Sequence, residues 1–159
     1  MKLMDKKDKT RSYASLSLYS RVLSVEELTQ LVGIPPDDAK QKGTPVARSP
    51  SPVYRHSVIS FESRVDQSAD PSAHLEDLLS WLGPAKDRLR AFAEPACVEE
   101  PELRTPVSMT VVIETRRSET GFEFSNELLK AISDFGSDLG VEVDFDDEPS
   151  DEEIETWAT

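Results

Sequence analysis

Residues 107–116 (VSMTVVIETR) constrain the fold more than any other segment, because their pattern is that of a strand with apolar side chains on both faces. Met109, Val111 and Ile113 alternate along one face, and Val112 adds an apolar side chain to the other. A strand of this kind is typical of the inside of a sheet, with a partner on each side. The chain must therefore supply further strands, and helices that cover them.

Three other segments have the period-two alternation of a half-buried strand: 13–19, 54–63 and 141–146. The segment 122–124 (FEF) is long enough for a short additional strand. Turn-forming residues separate these segments from one another. The pattern therefore predicts a sheet of four or five strands.

Apolar residues at helical spacing follow three N-terminal capping signals. Ser24 and Glu27 form a capping-box pattern, Asp70 precedes Pro71, and Ser125 precedes the strongest amphipathic stripe. A shorter helix is expected directly after the helix that begins at Pro71. The inner face of the last helix is predicted to carry Leu128, Leu129, Ile132, Phe135 and Leu139.

The short helix is predicted over 85–93, and the proline-rich segment 35–53, which lacks an apolar period, is predicted to be a long loop. The element order β-α-β-α-α-β-(β)-α-β indicates an α+β fold: one mixed sheet of four to five strands, with three or four helices packed mainly on one face. The predicted fold is a two-layer sandwich of two βαβ-like halves. We expect one domain over 12–147, between a disordered basic tail at 1–11 and an acidic C-terminal tail or short helix at 148–159.

Charge is distributed unevenly along the chain. The formal net charge is −13, and residues 140–159 contain nine acidic residues and no basic one. Such a chain is repelled by phosphate backbones, so we expect no binding to nucleic acid. No apolar run is long enough to span a membrane, and the single cysteine, Cys97, fits a reducing compartment. We therefore expect a cytoplasmic protein that binds no membrane.

The search for catalytic motifs finds none. The six glycines form no phosphate-binding loop, and Cys97, His56 and His74 have no metal-ligand spacing. His56 is expected to be structural and His74 to face solvent. A calcium loop that starts at Asp144 would need glycine at its sixth position, which is Pro149. We predict no catalytic residues, no cofactor and no metal.

The last predicted strand suggests a partner-binding site. Its alternation places Val141, Val143 and Phe145 toward the core, and a row of carboxylates about 6–7 Å apart on the other face. No Lys or Arg follows position 130. Arg116 or Arg117 on a neighbouring strand could neutralise the row; otherwise, the row suits a basic protein surface. The candidate partner-binding residues are Glu142, Asp144, Asp146, Asp147 and Glu148.

Several landmarks resemble those of a known family. They are the strand Ser12–Ser20, the helix and turn from Ser24 to Pro35, Gly43-x-Pro45, the leucine stripe from His74 to Pro84, and Phe124–Leu129 before Val143-x-Phe145-Asp146. Together they resemble the bacterial domain-of-unknown-function family 4279, over about 12–147. The resemblance implies a fold and no catalytic residues. A looser analogy links small acidic bacterial proteins of this kind to toxin-immunity loci.

Two classes of function remain. The first is a non-catalytic cytoplasmic domain that binds a protein with a basic surface, in the manner of an immunity protein that masks a toxin. The alternative is a small-molecule-binding module or an uncharacterised enzyme, with a pocket between sheet and helices and the 35–53 loop as its lid. The sequence does not fix the oligomeric state.

Overall fold

The computed structural model describes four stretches of the chain: residues 10–46, 52–94, 106–115 and 121–145. The predicted acidic tail at 148–159 and nearly all of the predicted basic tail lie outside these described residues. The strand that was expected to open the domain begins at Arg11.

The sheet has five strands in the order β2-β3-β1-β4-β5. Only β4 and β5 are parallel, and the other neighbouring pairs are antiparallel. The predicted mixed sheet is therefore confirmed. As expected, 107–116 provides an internal strand, because β4 pairs with both β1 and β5. The strands are β1 (Arg11–Ser20), β2 (Asp38–Lys40), β3 (Ser57–Glu62), β4 (Val107–Thr115) and β5 (Asp138–Phe145).

Four helices accompany the sheet in the described part of the chain, and three of them begin at the predicted capping signals. In the first, the Ser24 hydroxyl accepts a hydrogen bond from the Glu27 backbone N–H at 3.1 Å, and the Glu27 carboxylate accepts one from the Ser24 N–H at 2.8 Å. The Asp70 side chain, predicted to cap the second helix, makes no capping hydrogen bond. Ser125 caps the last helix through the N–H of Leu128 at 3.1 Å. The helices are α1 (Val25–Val32), α2 (Pro71–Trp81), α3 (Lys86–Ala93) and α4 (Asn126–Asp134), and a 3₁₀ turn (Gly83–Ala85) joins α2 to α3.

The core lies between the helices and one face of the sheet. Alternate residues of β1, β3 and β4 are buried there against apolar side chains of all four helices. The other face of the sheet has no helix over it in the part of the chain that the structure describes. The α+β fold of two layers is thus confirmed. The strands contribute Ala14, Leu16, Leu18, Ile59, Phe61, Val107, Met109 and Val111 to this core.

Two predicted connections differ from the structure. Within the expected loop 35–53, residues 38–40 form β2 and extend the sheet beyond β3, and Pro45 forms an isolated bridge with Val53. A three-residue strand is too short to show a period in the sequence. Residues 122–124 form no strand, although the rings of Phe122 and Phe124 lie 5.7 Å apart.

The end of the last helix was also placed too late. Helix α4 ends at Asp134, and Gly136 follows with φ of +71°. The chain reverses there, so Leu139 lies in β5 opposite Met109 and not on the helix. Leu139 keeps the spacing of the helical stripe by coincidence.

Candidate functional site

Two of the five predicted partner-binding residues lie on β5, at the edge of the sheet. Glu142 is opposite Val112 of β4, and Asp144 is opposite Glu114. Both side chains are exposed, and they belong to the face of the sheet that the helices leave open. The other three predicted residues lie outside the described part of the chain: Asp146, Asp147 and Glu148.

Neighbouring strands bring two more carboxylates to this open face. Glu114 lies in the row of Asp144, and Tyr13 of β1 lies in the row of Glu142. On the far side of β1, Glu62 ends β3. Tyr13 and the four carboxylates come from four different strands, so the pairing of the strands brings them together. We call Glu62, Glu114, Glu142 and Asp144 the acidic face.

Tyr13 lies in the field of the acidic face. Its pKa is raised above the ordinary value, by partial burial first and then by the carboxylates of Glu114, Glu142, Asp144 and Glu62, in that order. A phenolate beside these groups would add another negative charge, which the carboxylates oppose. The direction of this shift agrees with the sheet register, which places these four residues on the same face as Tyr13.

The carboxylates of the acidic face form no ion pair within the described residues. None of its four carboxylates has a basic group within 4.0 Å there, although Arg11 is opposite Glu114 on β1. The two arginines that were expected to neutralise the strip, Arg116 and Arg117, lie outside the described residues. The face therefore carries a concentrated negative charge at one end of the sheet.

The apolar side of β5 differs from the prediction. Val141, Val143 and Phe145 do lie on the face that the helices occupy, opposite buried residues of β4. They are nevertheless 40%, 37% and 49% exposed, so the prediction that they belong to the core is wrong. Leu129 of α4, also predicted to face inward, is 41% exposed.

The position of α4 explains why these side chains are exposed. This helix has only nine residues, and its buried side chains, Leu128 and Ile132, pack into the central core with Phe135. Among the apolar side chains of β5, Leu139 packs against this core, whereas Val141, Val143 and Phe145 stay more than a third exposed. From Val141 to Phe145 the strand is therefore exposed on both faces, with carboxylates on one and apolar groups on the other.

A cleft of about 370 Å³ lies where β3 ends and borders the acidic face at Tyr13 and Glu62. One wall of the cleft includes His74 of α2, which was expected to face solvent but is only 1% exposed. No described residue of the 35–53 loop contributes to the lining. The cleft is lined by Tyr13, Glu62, Ser63, Arg64, Val65, Gln67 and His74.

His74 connects α2 to the sheet through Ser63. The Ser63 Oγ lies 2.6 Å from His74 Nδ1 and also accepts a hydrogen bond from the Ala14 N–H at 3.1 Å. His74 Nε2 is buried without a hydrogen-bond partner among the described residues. Burial lowers the pKa of His74, and Asp77 and Asp66 oppose the shift. The other histidine, His56, accepts a hydrogen bond from Arg21 Nε at 3.3 Å.

Within the described ranges, no group of three His, Cys, Asp or Glu side chains is arranged to hold a metal ion. Cys97 lies outside those ranges. No helix in the described part is long and apolar enough to cross a membrane.

Sequence reasoning missed half of the acidic face. Periodicity identifies which residues of one strand share a face, and it placed Glu142 and Asp144 correctly opposite the apolar row. It does not give the register between strands, which brings Glu62 and Glu114 beside them from distant parts of the chain. One signal for Glu114 was available in the sequence: it follows Ile113 in the strongest predicted strand, so its side chain points to the face opposite the apolar row.

These observations define the class: a two-layer α+β domain with one open, acidic sheet face. The family model described as "Domain of unknown function (DUF4279)" matches residues 9–146, which include all five strands and all four helices, so the chain belongs to this family. The resemblance noted from the sequence is thereby confirmed. No curated protein matches the chain. No solved structure matches it either.

Proposed function

We propose that this domain is a non-catalytic binding protein of the bacterial cytoplasm, and that its acidic face binds a protein with a basic surface. The observation that carries the proposal is the concentration of four carboxylates on an open sheet face, with no basic group within 4.0 Å among the described residues. Such a surface attracts basic proteins over long distances and disfavours nucleic acid.

The specific form that we propose is an immunity-type protein that neutralises a basic partner. Masking a surface requires rapid and tight association and no chemical step. A net charge of −13 favours association with a basic partner before contact is made. The sequence contains no catalytic motif, in keeping with a role based on binding alone.

Charge reversal tests the proposal. We expect Glu142→Lys with Asp144→Lys to lower the association rate with a fluorescent hexalysine peptide at least tenfold at low ionic strength. The dependence of that rate on salt should also become weaker, because fewer charges attract the ligand. Stopped-flow fluorescence measures both quantities.

A matched control separates the site from the overall charge. Glu26→Lys with Glu76→Lys makes the same change in net charge on α1 and α2, where both residues are exposed. It should slow association less than the β5 variant does. Equal rates for the two variants would show that the acidic face is not the binding site.

A second candidate is a small-molecule-binding module or an enzyme that uses the cleft beside His74. The observation that favours it is a polar cleft of about 370 Å³ with a buried imidazole in its wall. Gln67→Trp would fill this cleft from an exposed loop position. If the cleft is functional, this variant should abolish the binding of metabolites found in a thermal-shift screen, whereas the Glu142→Lys, Asp144→Lys variant should not.

A further inference from the structure

Strand β5 leaves one edge of the sheet open. Among the residues that the structure describes, its eight residues pair only with β4, so every second residue directs its backbone N–H and C=O away from the sheet. No described residue pairs with these groups. An edge of this length is a template for another extended chain.

The opposite edge is less suited to the same role. Strand β2 has three residues, and Asp38 and Lys40 form an ion pair of 3.9 Å beside its single alanine. Short and charged edges discourage the addition of strands. The sheet therefore offers one long edge, and it is the edge that carries part of the acidic face.

The side chains of β5 specify the chemistry of an added strand. A neighbouring strand would place its side chains about 4.5–5.5 Å from those of β5. On one face, the added side chains would meet Val141, Val143 and Phe145, which are more than a third exposed. On the other face, they would meet the carboxylates of Glu142 and Asp144. The complementary strand alternates apolar and basic residues.

A second copy of this chain does not fit this edge. Antiparallel pairing of two β5 strands about a two-fold axis would bring Glu142 and Asp144 of both copies together on one face. Like charges directly opposite each other destabilise strand pairs, and each copy carries a net charge of −13. Charge complementarity thus favours a partner of opposite sign.

Building on the proposed function, we infer that β5 binds its partner by strand addition, and that the bound segment is extended and alternates apolar with basic residues. Backbone hydrogen bonds to the open edge would supply affinity, and the two faces of β5 would select the alternation. Binding would extend the sheet to a sixth strand beside β5.

The probe is an eight-residue peptide of alternating lysine and valine, compared with a peptide of the same composition in which four lysines precede four valines. We expect the alternating peptide to bind the full chain at least tenfold more tightly, as measured by fluorescence anisotropy. Val143→Asp should remove most of this preference. Because Val143 is 37% exposed, the variant is expected to fold, which circular dichroism verifies.

Backbone methylation tests the hydrogen bonds directly. Two further versions of the alternating peptide carry N-methyl groups on either the odd or the even residues. In an added strand, only one of these sets faces β5, so one version should lose at least tenfold in affinity while the other binds nearly as well as the parent. Equal binding by the two versions would overturn strand addition.

The outcomes separate this inference from the proposed function. If both peptide orders bind equally and the Glu142→Lys, Asp144→Lys variant weakens both, the acidic face binds basic ligands without strand addition. If neither peptide binds, both proposals fail.

Dimers in sedimentation experiments that Val143→Asp dissociates would show that a second copy occupies the edge. This result would overturn the inference.

Discussion

His74 shows how a single side chain connects the two layers of this domain. It projects from α2, reaches Ser63 at the end of β3, and through Ser63 contacts the backbone of β1. Because it is buried, the neutral imidazole is the favoured form, and the pKa of His74 is lowered. The protonation of this one residue is therefore coupled to folding.

This coupling predicts a pH dependence of stability. The unfolded chain binds a proton at His74 near pH 6.5, whereas the folded chain binds it only at lower pH, so the free energy of unfolding should fall as the pH falls from about 7 to about 5. His74→Asn retains a polar group near Ser63 but does not titrate. Urea unfolding should show that the stability difference between wild type and this variant shrinks toward pH 5.

Both proteins in this comparison retain His56, which directly precedes β3 and accepts a hydrogen bond from Arg21 Nε. The difference between them therefore isolates His74. A stability difference between wild type and His74→Asn that stays constant from pH 7 to pH 5 would contradict the prediction.

Tyr13 offers a second test at the scale of one residue. Four carboxylates contribute to its raised pKa, so Glu142→Gln with Asp144→Asn should lower that pKa toward the ordinary value without reaching it, because burial is the larger cause. Absorbance near 295 nm, with Tyr13→Phe as the baseline, follows the titration. Glu26→Gln with Glu76→Gln should leave the pKa nearly unchanged, and an equal shift in both double variants would contradict the assembly of the acidic face.

Among the elements, β4 and β5 are paired but differ in their environment. Val111 and Val141 are opposite each other on the helix-facing side, yet Val111 is fully buried and Val141 is 40% exposed. The same substitution at the two positions therefore measures how much of the sheet is covered.

Val111→Thr should cost about 1–3 kcal/mol of unfolding free energy, because it buries a hydroxyl group among apolar side chains. Val141→Thr should change stability by no more than about 0.5 kcal/mol, as exposed substitutions usually do. Chemical denaturation of the two variants provides the comparison. A cost for Val141→Thr as large as that for Val111→Thr would show that the apolar side of β5 is covered.

Two glycines in the left-handed conformation allow a second matched pair of substitutions. Gly43 has φ of +86° with open space around it, whereas Gly136 has φ of +71° and a Cβ added there would lie 2.7 Å from the Ala93 Cβ. Gly43→Ala should cost about 1–2 kcal/mol from backbone strain. Gly136→Ala should cost roughly 1–3 kcal/mol more, because α3 obstructs the new methyl group. Equal losses in thermal unfolding would show that α3 and the α4–β5 turn are not in contact.

For the whole molecule, the sequence predicted the layers better than the edges. Alternation placed four strands, and capping and apolar spacing placed the four described helices. These signals are local: Ser24, Ser125 and the row Met109, Val111, Ile113 each act within one element. The edges depend on what lies beside them. Whether Val143 is covered is decided by the length and position of α4, and that is a property of tertiary structure.

The candidate site likewise divides into a part that local sequence patterns predict and a part that depends on tertiary structure. The row of Glu142 and Asp144 could be read from period-two alternation. The contribution of Glu62 and Glu114 depends on the register of β1 with β3 and β4, which no local pattern encodes. His74 was misjudged for a related reason: a histidine in the first turn of a helix is commonly exposed, but here Ser63 contacts it from the segment that follows β3.

The place of β1 in the middle of the sheet also determines when the domain can form during its synthesis. β1 is the first strand to be made, yet Leu18 pairs with Val107, roughly 90 residues later. At about 5–20 residues per second, translation needs on the order of 5–20 s to supply that partner. During this interval the side of β1 that β4 later occupies has no strand partner, and an unpaired hydrophobic strand in a nascent chain is prone to aggregation.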